Sequence, residues 1–126
     1  MVRYYIYMRE REGLARLSLL ALRKRRDGLV KLLPPVAESL RGSLFERYLT
    51  CGNAHCKCAR GERHGPVWYL SVTLGPGRTT GTIVPLHLVE RVRRWIDNYH
   101  RVKEQLEKIS DINRELLRRE RKKRKS

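Results

Sequence analysis

Residues 67–84 read VWYLSVTLGPGRTTGTIV, and that stretch decides the fold. Trp68, Leu70, Val72 and Leu74 alternate with Tyr69, Ser71 and Thr73, which is the period of a strand with two unlike faces. Gly75-Pro76-Gly77 supplies a turn. Arg78 to Val84, rich in threonine and ending Ile-Val, reads as the return strand of a hairpin. Upstream, Leu44 to Thr50 is a third candidate strand, so the middle of the chain reads as a three-stranded antiparallel sheet.

Downstream, Pro85 stands where a helix can begin, because its missing N–H is not needed at the first helical position. From there to about Arg118 the positions Leu88, Val92, Trp95, Tyr99, Val102, Leu106, Ile109, Asn113 and Leu116 recur at alternating steps of four and three. That is a coiled-coil seam. Its first half is expected to pack on the sheet through Leu88, Val92, Trp95 and Tyr99. A helix of roughly 30 residues is about 45 Å long, more than a hairpin covers. The second half therefore needs another helix, from the N-terminus of the same chain or from a second copy. Val92, Tyr99, Val102, Leu106, Ile109 and Leu116 are the candidate homodimer contacts. Asn113 falls on the seam, either buried and setting register or exposed near the helix end; Ser110-Asp111 could instead cap a new helix and break this one.

Ahead of the sheet, residues 1–7 read as a short strand or lead-in and Met8 to Leu33 as a helix. Ala15, Leu19, Leu22, Leu29 and Leu33 share a heptad-like spacing, and Asp27-Gly28 can bend or end the helix. Pro34-Pro35 forbids its continuation. A second short helix is expected from Val36 to Arg41.

The linker between the first two strands is CGNAHCKCARGERHGP, residues 51–66. It holds all three cysteines. Cys51, Cys56, Cys58 and His64 form a closed set of soft and imidazole donors of the kind that satisfies structural Zn²⁺. The spacing is not that of a standard finger, but every ligand sits in one glycine-containing loop. His55 competes as the fourth ligand, though its adjacency to Cys56 makes joint coordination awkward. Inert core thiols fit poorly with the Lys, Arg and Gly around them. A catalytic thiol with His64 as base lacks an orienting acid and an oxyanion-type loop. Four protein ligands leave zinc no open position, so no hydrolytic role is expected of it.

The chain has 126 residues, 29 Lys and Arg against 13 Asp and Glu, a net charge of +16 and a pI near 10.6. Nucleic acid is the default partner for that balance, DNA ahead of RNA, with an anionic membrane surface second. Arg23, Arg25 and Arg26 form one basic block with Lys24. Arg47, Lys57, Arg60, Arg63, Tyr69 and Arg78 would be presented by the sheet and its loop. Arg121, Lys122 and Arg124 belong to a basic tail expected to lie beyond the last helix. Only three Asp are present, far apart, so the carboxylate cluster of a metal-dependent nuclease is missing and no enzyme activity is expected. No apolar run is long enough for a membrane span, and the first residues lack the pattern of a secretory signal. The expected location is cytoplasmic, near the nucleoid if DNA is the partner.

The segments LRGSLFERYLTCGNAHCKCARGERHGPVWYLSV and TIVPLHLVERVRRWIDNYHRVKEQLEKISDINRELL resemble a family of small uncharacterised bacterial and archaeal proteins. Its pattern is L-R-G-S-L-x-E-R-Y, C-G-x-x-x-C-x-C-A, H-G-P, then a V-P-x-x-L-V-E-x-V-R-x-W helix. The resemblance covers roughly Leu40 to Leu117. It carries Cys51, Gly52, Cys56, Cys58, His64, Gly65 and Pro66 onto the motif and favours His64 over His55. The residues before about Gly13 depart from the pattern. Such genes often lie near transposase genes, which implies a DNA-related setting for this chain rather than a reaction. A looser likeness to three-stranded DNA-binding domains, in which a sheet face enters the major groove, is one of fold only.

The expected fold is α+β: an N-terminal helix, a three-stranded antiparallel sheet with a zinc loop, and a long coiled-coil-like C-terminal helix. The expected divisions are 1–35, 36–100, 101–118 and the tail 119–126. The expected role is a zinc-stabilised, nucleic-acid-binding accessory factor linked to mobile elements or other DNA transactions. The alternative is a coiled-coil adaptor or homodimeric structural protein without direct base readout.

Overall fold

The computed structural model describes residues 13–49 and 64–125. The chain divides into two compact units, one of Met1–Pro34 with Arg101–Ser126, the other of Pro35–His100. Among the described residues the elements are α1 (Leu19–Lys31), β1 (Ser43–Leu49), β2 (His64–Gly75), β3 (Arg78–Val84) and α2 (Val89–Lys125), with 3₁₀ turns at Val36–Glu38 and Leu86–Leu88. The class is α+β, with the helix–sheet–helix order expected from sequence.

In the unit of residues 35–100 the strands lie in the order β1-β2-β3, both pairs antiparallel. Gly77, with φ +68°, takes the left-handed position of the β2–β3 turn, where a side chain would be strained. β2 starts at His64, earlier than the alternation suggested, and carries Pro66 inside it. A proline in a central strand loses a ladder bond. Here β3 ends at Val84, opposite Trp68, so at Pro66 β2 has a neighbour on one side only.

Register sorts the sheet into two faces. Leu44, Leu70 and Thr82 line up on one, as do Glu46, Trp68 and Val84. α2 reaches this face: the Arg93 guanidinium lies 4.7 Å from the Trp68 ring centre. Val84 and Val89 are buried. The expected helix Val36–Arg41 is only the 3₁₀ turn, because α2 takes its backbone groups. The Asn98 amide donates to Glu38 O at 2.9 Å, and Leu40 N–H donates to Trp95 O at 3.0 Å. The expected start of the long helix at Pro85 is likewise a 3₁₀ turn, and α2 begins at Val89.

In the other unit, Leu14, Leu22 and Ile112 form the buried cluster, with Leu17, Leu29 and Leu116 packed on it. α1 is shorter than the expected Met8–Leu33 helix. Ser18 is its N-cap and accepts from Ala21 N at 3.1 Å; residues 15–17 are a turn before it. Gly28 does not end the helix, whose last residue is Lys31, shortly before Pro34. Residues 1–12, where a short strand or lead-in over 1–7 and the first residues of the Met8–Leu33 helix were expected, lie outside the described residues.

α2 runs unbroken to Lys125, through Ser110-Asp111 and through the basic tail, which is its last turns. Asp111 is buried and pairs with Arg114 at 2.6 Å instead of capping a new helix. Arg119 donates to Leu14 O, Ala15 O and Leu17 O, the shortest bond being 2.6 Å, so the turn before α1 is fastened to α2. Asn113 is exposed and accepts from Arg26 Nη1 at 3.1 Å, while its neighbour Ile112 takes the buried position. Leu106, expected on the seam, is 54% exposed.

Candidate nucleic-acid interface

The second face of the sheet carries exposed apolar side chains among the described residues. Phe45, Tyr69 and Ile83 stand directly opposite one another across β1, β2 and β3. Phe45 is 41% exposed and Ile83 is 52% exposed. The Phe45 and Tyr69 rings meet at 5.6 Å, tilted by 54°. Arg47, two residues along β1 on the same face, holds its guanidinium 4.9 Å from the Tyr69 ring centre. Tyr69 lies down over β3: a Cβ added at Gly81 would overlap its Oη, Cζ and Cε1 atoms. Glycine is therefore what lets an aromatic ring cover that strand.

Of the residues expected to contact nucleic acid, Arg47 and Tyr69 are brought together. Arg78 is not with them. It opens β3 opposite Gly75, and alternation along β3 puts it with Thr80, Thr82 and Val84 on the face of Trp68. Arg23 and Arg25 are exposed on α1 beside Lys24, and among the described residues none of the three makes an ion pair. Arg26 differs, being engaged by Asn113 and, at 3.6 Å, by Asp27. Arg121 is exposed on the last turns of α2, which also carry Lys122 and Arg124. Lys57, Arg60 and Arg63 lie outside the described residues.

Not every cation of the C-terminal block is available to a ligand. Arg118 grips Glu115 with two bonds of 2.7 Å, and Arg119 adds a third at 3.2 Å. The Arg118 hydrogen bonds, reinforced by Arg119 against the opposing effect of burial, hold the Glu115 carboxyl down at about 2. Glu115 in turn raises Arg118 above its ordinary value.

Cys51, Cys56, Cys58 and His55 lie outside the described residues, and of His64 only the backbone is described. Among the described residues no group of three or more His, Cys, Asp or Glu could hold a metal ion. The sheet does fix where the loop begins and ends: Leu49 of β1 pairs with His64 of β2.

Sequence reasoning missed Phe45, Ile83 and Gly81. Phe45 alternates with Glu46 in the strand it named, so its face was readable; that Ile83 and Gly81 share the face needed the register. No described helix is long and apolar enough to cross a membrane.

Fold and surface define a small cation-rich α+β protein with one sheet face under a helix and exposed apolar side chains on the other. The chain belongs to a family defined only as a domain of unknown function, DUF6788, whose model matches residues 19–94. No curated protein and no solved structure matches it.

Proposed function

We propose that this protein binds nucleic acid mainly through its phosphates, as an accessory factor in DNA transactions such as those of mobile elements. The observation that carries the reading is a net charge of +16 with cations left exposed: Arg23, Lys24 and Arg25 on α1, and Arg121 on α2. A surface made only for solubility would mix signs and pair more of them. Binding by counterion release makes log K fall linearly with log salt, by about 0.9 for each phosphate neutralised on duplex DNA. Titrating labelled oligonucleotides over a range of salt tests it: a steep negative slope is expected, and a slope near zero refutes it.

Zinc is part of the same proposal, as a staple rather than a reactant. The donor set fits it: three thiols and one imidazole within fourteen residues of sequence, the last of them, His64, on the described strand β2. Cys51, Cys56, Cys58 and His64 would hold the ion, and the ion would close the loop that carries Lys57, Arg60 and Arg63.

A second reading, an adaptor or homodimer through α2, has one observation in its favour. Leu106 and Leu117 are 54% and 58% exposed on that helix, leaving apolar surface unburied. Leu106→Lys should convert a dimer to a monomer in light scattering at matched concentration. An unmutated chain that is already monomeric at ~100 μM, well above the Kd of a stable dimer, discards the homodimer.

A further inference from the structure

The row Phe45–Tyr69–Ile83 is not accounted for by phosphate binding. Exposed aromatic and aliphatic side chains give up apolar burial, and phosphate neutralisation makes no use of them. Covering Gly81 explains why the Tyr69 ring lies flat. It does not explain why Phe45 and Ile83 remain exposed beside it, or why Arg47 rests on the ring.

The charge on this face narrows the partner. Glu46 is the one carboxylate in the described strands, and it points to the opposite face, across from Trp68. The open row therefore presents ring surface and a guanidinium with no acid among them. An acidic or nucleic partner fits; a second copy of so cationic a chain is opposed by its own charge.

We propose that this face binds unpaired bases of single-stranded nucleic acid, with Tyr69 and Phe45 stacking on successive bases and Arg47 moving from the ring to a phosphate. The proposal rests on the nucleic-acid reading above and adds to it base contact and strandedness. A duplex hides its base faces in the stack and offers only edges and phosphates. Arg47, the one described arginine on this face, neutralises about one phosphate, too little to hold a duplex. Stacking on a ring contributes roughly 5- to 150-fold in affinity per base and needs the base free.

The test titrates the full chain, at one salt concentration, with three labelled probes of equal length. They are a thymidine strand, an abasic strand with the same number of phosphates, and a duplex. The thymidine strand is expected to bind about tenfold or more tighter than the abasic strand, as one or two stacked bases require. Tyr69→Leu and Phe45→Leu should each bring thymidine binding down towards the abasic value and leave abasic and duplex binding unchanged. Equal binding of thymidine and abasic strands overturns stacking and leaves the phosphate reading standing. Failure to bind any probe overturns both. Should Tyr69→Leu unfold because Gly81 loses its cover, the abasic comparison on the unmutated chain and Phe45→Leu still decide.

Discussion

Glu115 illustrates how one carboxylate turns a basic helix end into structure. Its side chain is 11% exposed and accepts from both Arg118 and Arg119. Its folded pKa, about 2, lies below the ordinary 4.5. A depressed carboxyl contributes stability that is complete above the unfolded pKa and is lost as pH falls through the folded one. The window is therefore from about 4.5 down to about 2. Glu115→Gln should lower Tm at pH 7, and the gap to the unmutated chain should close across that window. A gap that stays constant from pH 7 to pH 2 contradicts the assignment. Arg119, released from Glu115, would keep its bonds to Leu14 O, Ala15 O and Leu17 O.

At the scale of elements, α1 offers the sharpest handle on the electrostatics. Arg23, Lys24 and Arg25 are exposed, whereas Leu22 beside them is fully buried. Changing the three cations to Gln should leave far-UV circular dichroism intact and reduce the steepness of the salt dependence by up to about three units, near one per lost phosphate contact. An unchanged slope would take α1 out of the interface. The hairpin and its return strand were legible because alternation and the Gly-Pro-Gly turn act locally. The start of α1 was misread because a heptad-like spacing ran across Ser18, whose cap ends the pattern. The α2 seam was followed onto Asn113 although Ile112 next to it is the better core residue; the choice depends on Leu14 and Leu22, distant in sequence. The basic tail was expected outside the helix, yet nothing in it breaks one: it has no Gly or Pro, and Glu115 ties Arg118 and Arg119 one turn back. Of the candidate site, Arg47 and Tyr69 were each picked out in sequence, but their meeting was not foreseen. Nor was the Phe45–Tyr69–Ile83 row, since register is a tertiary property.

For the whole molecule, the core among the described residues is small. The fully buried large side chains among the described residues are Leu22 and Ile112. A metal staple in the cysteine loop would add to that core. If zinc serves that role, the purified chain contains about one equivalent by metal analysis, and a strong chelator lowers Tm by several degrees or more, because metal binding is linked to folding. A metal-free chain whose Tm is indifferent to chelator and to Cys51→Ser removes zinc from the account without touching the charge argument. The charge argument itself is tested most directly by the affinity of the full chain for a labelled oligonucleotide as salt rises from ~50 to ~200 mM. The account predicts a straight line in log K against log salt with a slope of about −3 or steeper. A slope near zero, or no binding at ~100 mM salt, contradicts it.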